Sequence, residues 1–178
     1  MTHIAFDASR RRTGYAYVAG RTTHYWVTGI VDVQDGPALA AVLREALYAG
    51  VTAAAIEDCY LGPAGNVRAL KALQEAQTRI SVACEMAGLP VLLVYAQTWQ
   101  SAFAITGKRP ERKLGAQRVA LALGAGNLSE DEADAVCLAE YATRAGRQEE
   151  LELRGPRGGQ LRFRKPAGFR KLKKGIVP

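Results

Sequence analysis

The sequence predicts an α/β fold, a mixed sheet of about five strands with helices on both faces. Three observations carry this prediction. Strand-like segments at residues 2–8, 14–19 and 23–33 precede any helical pattern. Beyond them, helical and strand-like stretches alternate along the chain. VTAAAIE at 51–57 and LPVLLVY at 89–95 are short apolar runs without alternation, as expected of strands covered on both faces. A chain of 178 residues suits one compact domain with a true core, burying roughly 70% of the surface its unfolded form exposes.

The elements follow in order. Residues 2–8 and 14–19, joined through RRRTG, read as a hairpin, and a third strand runs from about Thr23 to Val33. Gly36-Pro37 opens a helix whose Leu39, Val42, Leu43, Ala46 and Leu47 form one apolar stripe, with Gly50 as its stop. The strand at 51–57 ends on Glu57. A loop, DCYLGPAGN, leads into a long helix from Val67 to Ala87, closed by Gly88 and Pro90. Its Leu70, Leu73, Gln77, Ile80, Cys84 and Ala87 make one face, and Ala69, Ala72, Ala76 and Ala83 a second. That second face suits either ordinary core packing or contact with another subunit. After the strand at 89–95 come a helix from Gln97 to Ile105, a basic loop TGKRPERK, a helix near 114–123, the loop GAGN and a helix from Glu130 to Ala145. Residues 1–145 thus read as the folded body and 146–178 as an extension, in which Gly158-Gly159 between two short alternating runs suits a hairpin.

Charge separates the same two parts. Residues 1–145 hold 14 Lys+Arg and 14 Asp+Glu, whereas residues 146–178 hold 10 and 3, so the whole net charge of +7 lies in the extension. A basic segment on a neutral body points to a polyanion, most simply nucleic acid, because each cation that neutralises a phosphate releases counterions. No apolar run reaches the about 18 residues of a membrane span, and MTHIAFDASR lacks the layout of a signal or transit peptide. A cytoplasmic protein is expected. Cys59, Cys84 and Cys137 are odd in number and match no disulfide or metal spacing, so they read as reduced core thiols.

In open α/β sheets, sites form at the carboxyl ends of central strands. Asp7 and Glu57 stand at two such ends. SEDEADAV supplies a capping box, Ser129 with Glu132, which sets Asp131 and Asp134 in the first turns of the last helix on one face. Each acid alone has an ordinary explanation: a helix N-terminus favours Asp131 through the dipole, and a carboxylate just past a strand end meets water. Gathered together, the four would raise one another's pKa unless a cation neutralised them. Oxygen-only ligands suit Mg²⁺ or Mn²⁺. Two such ions can stabilise the attacking and leaving oxygens of a phosphodiester displacement, so the constellation points to nucleic-acid hydrolysis. His3 and His24 read as structural, and strand alternation turns Asp58 away from Glu57.

These pieces, IAFDASRRRTGYAYV, AAIED, LPVLLVYAQTWQ and DEADAVCLAEYA, match a known family in type, order and separation. Over residues 3–145 the chain resembles the RuvC-type Holliday junction resolvases, nucleases of the RNase H-like fold. The resemblance implies that Asp7, Glu57, Asp131 and Asp134 bind two divalent ions. It further implies a homodimer that nicks two opposed strands of a four-way DNA junction symmetrically, with the helix at 67–87 as the dimer contact or as core. Where the family usually has Pro-Gly after its first aspartate, this chain has Ala8-Ser9, and three arginines follow. Lys108, Arg109, Arg112 and Lys113 are the candidates for the basic group at the scissile phosphate, Lys113 first among them. Arg10, Arg11, Arg12 and Lys108 are expected to grip backbone phosphates. Tyr60 and Phe103 are expected either to stack on unpaired bases or to pack in the core. Alternative readings are an RNase H-like nuclease of structured RNA, a junction-binding protein with an inactive site, and an actin-like ATPase, against which the short unduplicated chain argues.

Overall fold

Strand alternation sorts the central residues onto two faces, and the helices follow from that. The computed structural model describes residues 2–9, 11–20, 24–58 and 66–153, with side chains as far as residue 147. The strands are β1 (His3–Asp7), β2 (Thr13–Ala19), β3 (Tyr25–Val31), β4 (Ala53–Asp58) and β5 (Val91–Tyr95). The helices are α1 (Gly36–Tyr48), α2 (Val67–Met86), α3 (Ala96–Ala102), α4 (Arg109–Ala122) and α5 (Glu130–Leu153). In the sheet the order is β3-β2-β1-β4-β5. The first three strands form antiparallel pairs, whereas β1, β4 and β5 run parallel, which is the predicted mixed sheet.

On one face Ile4, Phe6 and Ile56 join Leu39 and Leu43 of α1 and Ile80 and Cys84 of α2 in a core of large side chains. The opposite face presents Ala5, Ala16 and Ala55, which pack against Ala133, Val136, Cys137 and Ala139 of α5 and Ala116 and Ala120 of α4. Small residues on both partners let α5 lie close to the sheet. Gly14 marks the nearest approach: a Cβ there would collide with the Asp131 carbonyl, so no larger residue fits.

Several boundaries differ from those the sequence predicts. β5 is not a doubly covered strand but an edge strand, bonded among the described residues only to β4, with Leu92 42%, Leu93 48% and Tyr95 55% exposed. An apolar run reads alike at the centre and the edge of a sheet, because composition does not report which neighbours arrive. α4 begins at Arg109, five residues before the predicted start, so Arg109, Arg112 and Lys113 are helical and not loop residues. Pro110 sits in the first turn, where its missing N–H costs nothing, and Glu111 accepts the Lys108 N–H at 2.6 Å. α5 runs to Leu153, past the predicted end at Ala145; Gly146 does not stop it, because one glycine costs only about 1 kcal/mol. The Arg144–Glu140 pair, 2.6 Å apart at i,i+4, supports the helix there. The expected hairpin around Gly158-Gly159 and the loop holding Cys59 lie outside the described residues. Cys84 and Cys137 are buried free thiols.

Candidate active site

Register and parity bring two acids together. In the parallel β1–β4 pair Ala5 aligns with Ala55 and Phe6 with Ile56. One step further, Asp7 and Glu57 fall side by side on the alanine face, under α5. The capping box at the start of α5 is formed as predicted: Ser129 N–H donates to the Glu132 carboxylate at 3.2 Å and Glu132 N–H to Ser129 Oγ at 3.4 Å. Asp7 pairs with Gly14 across β1–β2, and Gly14 touches the backbone at Asp131. Asp131 and Asp134 are thereby delivered over Asp7.

Lys113, from α4, enters the same space. Its Nζ lies 2.5 Å from Asp134 Oδ2, 3.6 Å from Asp131 Oδ1 and 3.8 Å from Asp7 Oδ2. Glu57 is held separately: the indole N–H of Trp99, a residue 1% exposed, donates to its Oε2 at 3.1 Å. Burial, followed by the charges of Glu57 and Asp134, pushes the Asp7 carboxyl well above the ordinary range, with Lys113 opposing. Burial likewise lifts Glu57 to about 7 against the pull of the Trp99 hydrogen bond. Asp134 is raised by burial, partly offset by its bond to Lys113. Burial disfavours the Lys113 ammonium, yet the hydrogen bond and charge of Asp134, with Asp7 and Asp131 behind it, outweigh this and raise its pKa. The acids therefore hold protons or draw in a cation.

The turn after Asp7 is built without glycine. Thr13, fully buried, accepts the Ser9 N–H at 3.1 Å and donates its hydroxyl to the Ser9 carbonyl at 2.9 Å. Ser9 Oγ accepts the Arg12 N–H at 3.0 Å. A Ser–Thr clasp thus closes the turn, and the side chains of Arg11 and Arg12 project into solvent.

Of the predicted site residues, Asp7, Glu57, Asp131, Asp134 and Lys113 come together. Arg112 lies one residue from Lys113, half-buried, its Nη1 donating to Gln100 Oε1 at 3.2 Å. Lys108 and Arg109 are exposed at the start of α4. Phe103 is not a free stacking ring: it packs against the alanine-face core, and the Arg144 guanidinium lies 5.3 Å from its centroid. Arg10 and Tyr60 lie outside the described residues. Asp58 points to the other face, where it accepts from Gln77 Nε2 at 3.2 Å. Sequence reasoning missed Trp99 and Thr13. A tryptophan in the short helix directly after β5, the neighbour of the strand carrying Glu57, was the available signal.

The structure of Thermus thermophilus RuvC in complex with a Holliday junction substrate matches with a TM-score of 0.63 at 19% identity, over 83% of this chain and 96% of that one. The chain has the RuvC fold. A second structure of Thermus thermophilus RuvC matches with a TM-score of 0.60 at 20% identity, over 82% and 97%. No protein-family model and no curated protein sequence matches the chain.

Proposed function

We propose that this protein is a metal-dependent, structure-selective endonuclease that resolves four-way DNA junctions by paired symmetric nicks. The observation that carries the reading is the meeting of Asp7, Glu57, Asp131 and Asp134 with one another around Lys113, on a sheet with the RuvC fold.

The donor set fits hard divalent ions, Mg²⁺ or Mn²⁺, in its chemistry: it is all carboxylate oxygen, and the acids already converge on a cation, the Lys113 ammonium. Among the described residues no three acid, His or Cys side chains are spaced to ligate an ion as they stand. Two ions, when bound, would supply the charge that activates water and stabilises the leaving oxygen. Asp7, at the centre, and Glu57, Asp131 and Asp134 around it would hold them. Trp99 fixes the rotamer of Glu57 from behind. Lys113 would offset charge developing on the phosphate oxygens.

Arg11 and Arg12, in the turn after Asp7, and Lys108, at the start of α4, are exposed and grip backbone phosphates, joined in the proposal by Arg10 and Arg109. Residues 146–178, the basic extension of the 1–145 nuclease domain, carry ten Lys+Arg and three acids and add contacts to backbone phosphates. A homodimer suits paired nicks, since two symmetric cuts require two sites. Val82 and Met86 on α2, 48% and 85% exposed, leave an apolar surface for that contact.

The test is incubation of the purified protein with four-way junctions, linear duplex and structured RNA, with and without Mg²⁺. Junction cutting that requires the metal is the expected result. RNA cutting without junction cutting would overturn the reading in favour of an RNA-processing nuclease.

A further inference from the structure

Three of the four acids share one cation, since Lys113 pairs with Asp7, Asp131 and Asp134. Glu57 is held differently. Among the described residues it makes no ion pair, and its one hydrogen bond comes from the indole N–H of Trp99, 3.1 Å from Oε2. An indole is a donor only, so it secures a carboxylate oxygen without competing with it for a cation. Donation to a carboxylate favours its ionised form, the form that ligates metal. Because the bond is taken at Oε2, Oε1 is left for a further partner.

Trp99 is itself fixed. Its side chain is almost fully buried, in the same core as Ala55, Val94 and Val136, between the sheet and α5. α3 has only seven residues, and no side chain caps its start. The helix therefore depends on this packing and on its link to α4, where Gln100 Oε1 accepts from Arg112 Nη1 at 3.2 Å. A glutamate at a strand end has several rotamers open to it, and a rigid buried donor selects one of them.

We infer that Trp99 is a positioning residue: by holding Oε2 it presents Oε1 of Glu57 as a preset ligand and so sets the affinity of the site for a divalent ion. The inference deepens the metal-dependent reading above and rests on it. Partners that orient a metal ligand from behind commonly govern about 10–100-fold of metal affinity.

The experiment compares the full chain with Trp99→Phe, which keeps an aromatic ring and removes the N–H. In calorimetric Mg²⁺ titrations without DNA, Trp99→Phe should bind the ion about tenfold more weakly than wild type. The Mg²⁺ concentration for half-maximal junction cutting should rise by the same factor, while the rate at saturating Mg²⁺ stays within about twofold of wild type. Gln100→Ala loosens α3 without touching Glu57 and should leave Mg²⁺ affinity unchanged. A spectroscopic signature is also available, because Trp26 and Trp99 are the only tryptophans. Trp26 aligns with Val18, toward the end of the sheet away from the acids, and bonds the Leu123 carbonyl. With Trp26→Phe in place, the emission of Trp99 should change saturably as Mg²⁺ is added, and Glu57→Gln should abolish that change. Thermal melts set all comparisons at matched folded fraction. Wild-type Mg²⁺ affinity in Trp99→Phe, or an equal loss in Trp99→Phe and Gln100→Ala, overturns the assignment and makes Trp99 a packing residue. An emission that ignores Mg²⁺ does the same. Calorimetry needs no DNA, so the assignment stands or falls on it even if junctions are not cut; wild type that binds no Mg²⁺ overturns both it and the metal-dependent reading.

Discussion

Toward α1 and α2, β1 and β4 present Ile4, Phe6 and Ile56; toward α5 the same strands present Ala5 and Ala55 and then Asp7 and Glu57. The large side chains give one face most of its stabilising burial. On the other face small residues give up that burial and gain proximity, so that the first turn of α5 touches Gly14 and the charges of its acids act on Asp7. One sheet thus separates support from chemistry by strand parity alone.

The largest expected effects are on the chemical face. Asp7→Asn should abolish junction cutting while junction binding persists, measured by gel shift without divalent metal; loss of both would make Asp7 a structural residue. Lys113→Ala should lower the cutting rate by about 10²–10³-fold, the usual cost of a lost charge-stabilising donor. A Lys113→Ala variant that cuts at the wild-type rate would reduce the lysine to a counter-ion of the metal-free state.

Stability should show the opposite ranking. Phe6, fully buried on the supporting face, should cost about 3–5 kcal/mol as Phe6→Ala, a fall in Tm of roughly 10 °C for a chain of this size. Gly14→Ala forces a Cβ into the α5 backbone and should cost about 1–3 kcal/mol. At a temperature where both variants stay folded, Gly14→Ala should nevertheless lose more cutting activity than Phe6→Ala, because it displaces Asp131. Equal activity losses at matched folded fraction would break the comparison of the faces.

Much of this arrangement is legible in the amino-acid sequence, and the limits have physical causes. The acids are readable because strand ends and a capping box are local signals: Ser129 and Glu132 lie three residues apart and fix Asp131 and Asp134 without help from the rest of the chain. Lys113 is readable only as one of several cations, since its approach to Asp134 depends on how α4 lies across α5. The Trp99–Glu57 contact and the edge position of β5 are harder to read for a related reason. Whether an indole meets Glu57, or an apolar strand ends at a sheet edge, is decided by tertiary neighbours. The Ser9–Thr13 clasp is visible as residue types, but only the backbone path of the turn makes the pair a replacement for glycine.

The smallest expected effect is also the one most specific to the acid cluster. Glu57 has its pKa raised from 4.5 to about 7, mainly by burial. The folded state therefore holds the Glu57 proton more tightly than the unfolded chain does. That contribution to stability is complete below about 4.5 and is lost as pH rises through about 7; Asp7 and Asp134 shift in the same direction. Metal-free protein should accordingly melt lower at pH 8 than near pH 5.5. Glu57→Gln, which cannot ionise, should flatten that slope and gain about 1 kcal/mol at pH 8, or roughly 2–4 °C. Mg²⁺ should raise the wild-type Tm more at pH 8 than near pH 5.5, since protons and the ion compete for the same oxygens. If Glu57→Gln keeps the wild-type slope, Glu57 ionises as freely as a surface acid, and the alanine face has not brought the carboxylates close enough to need a cation.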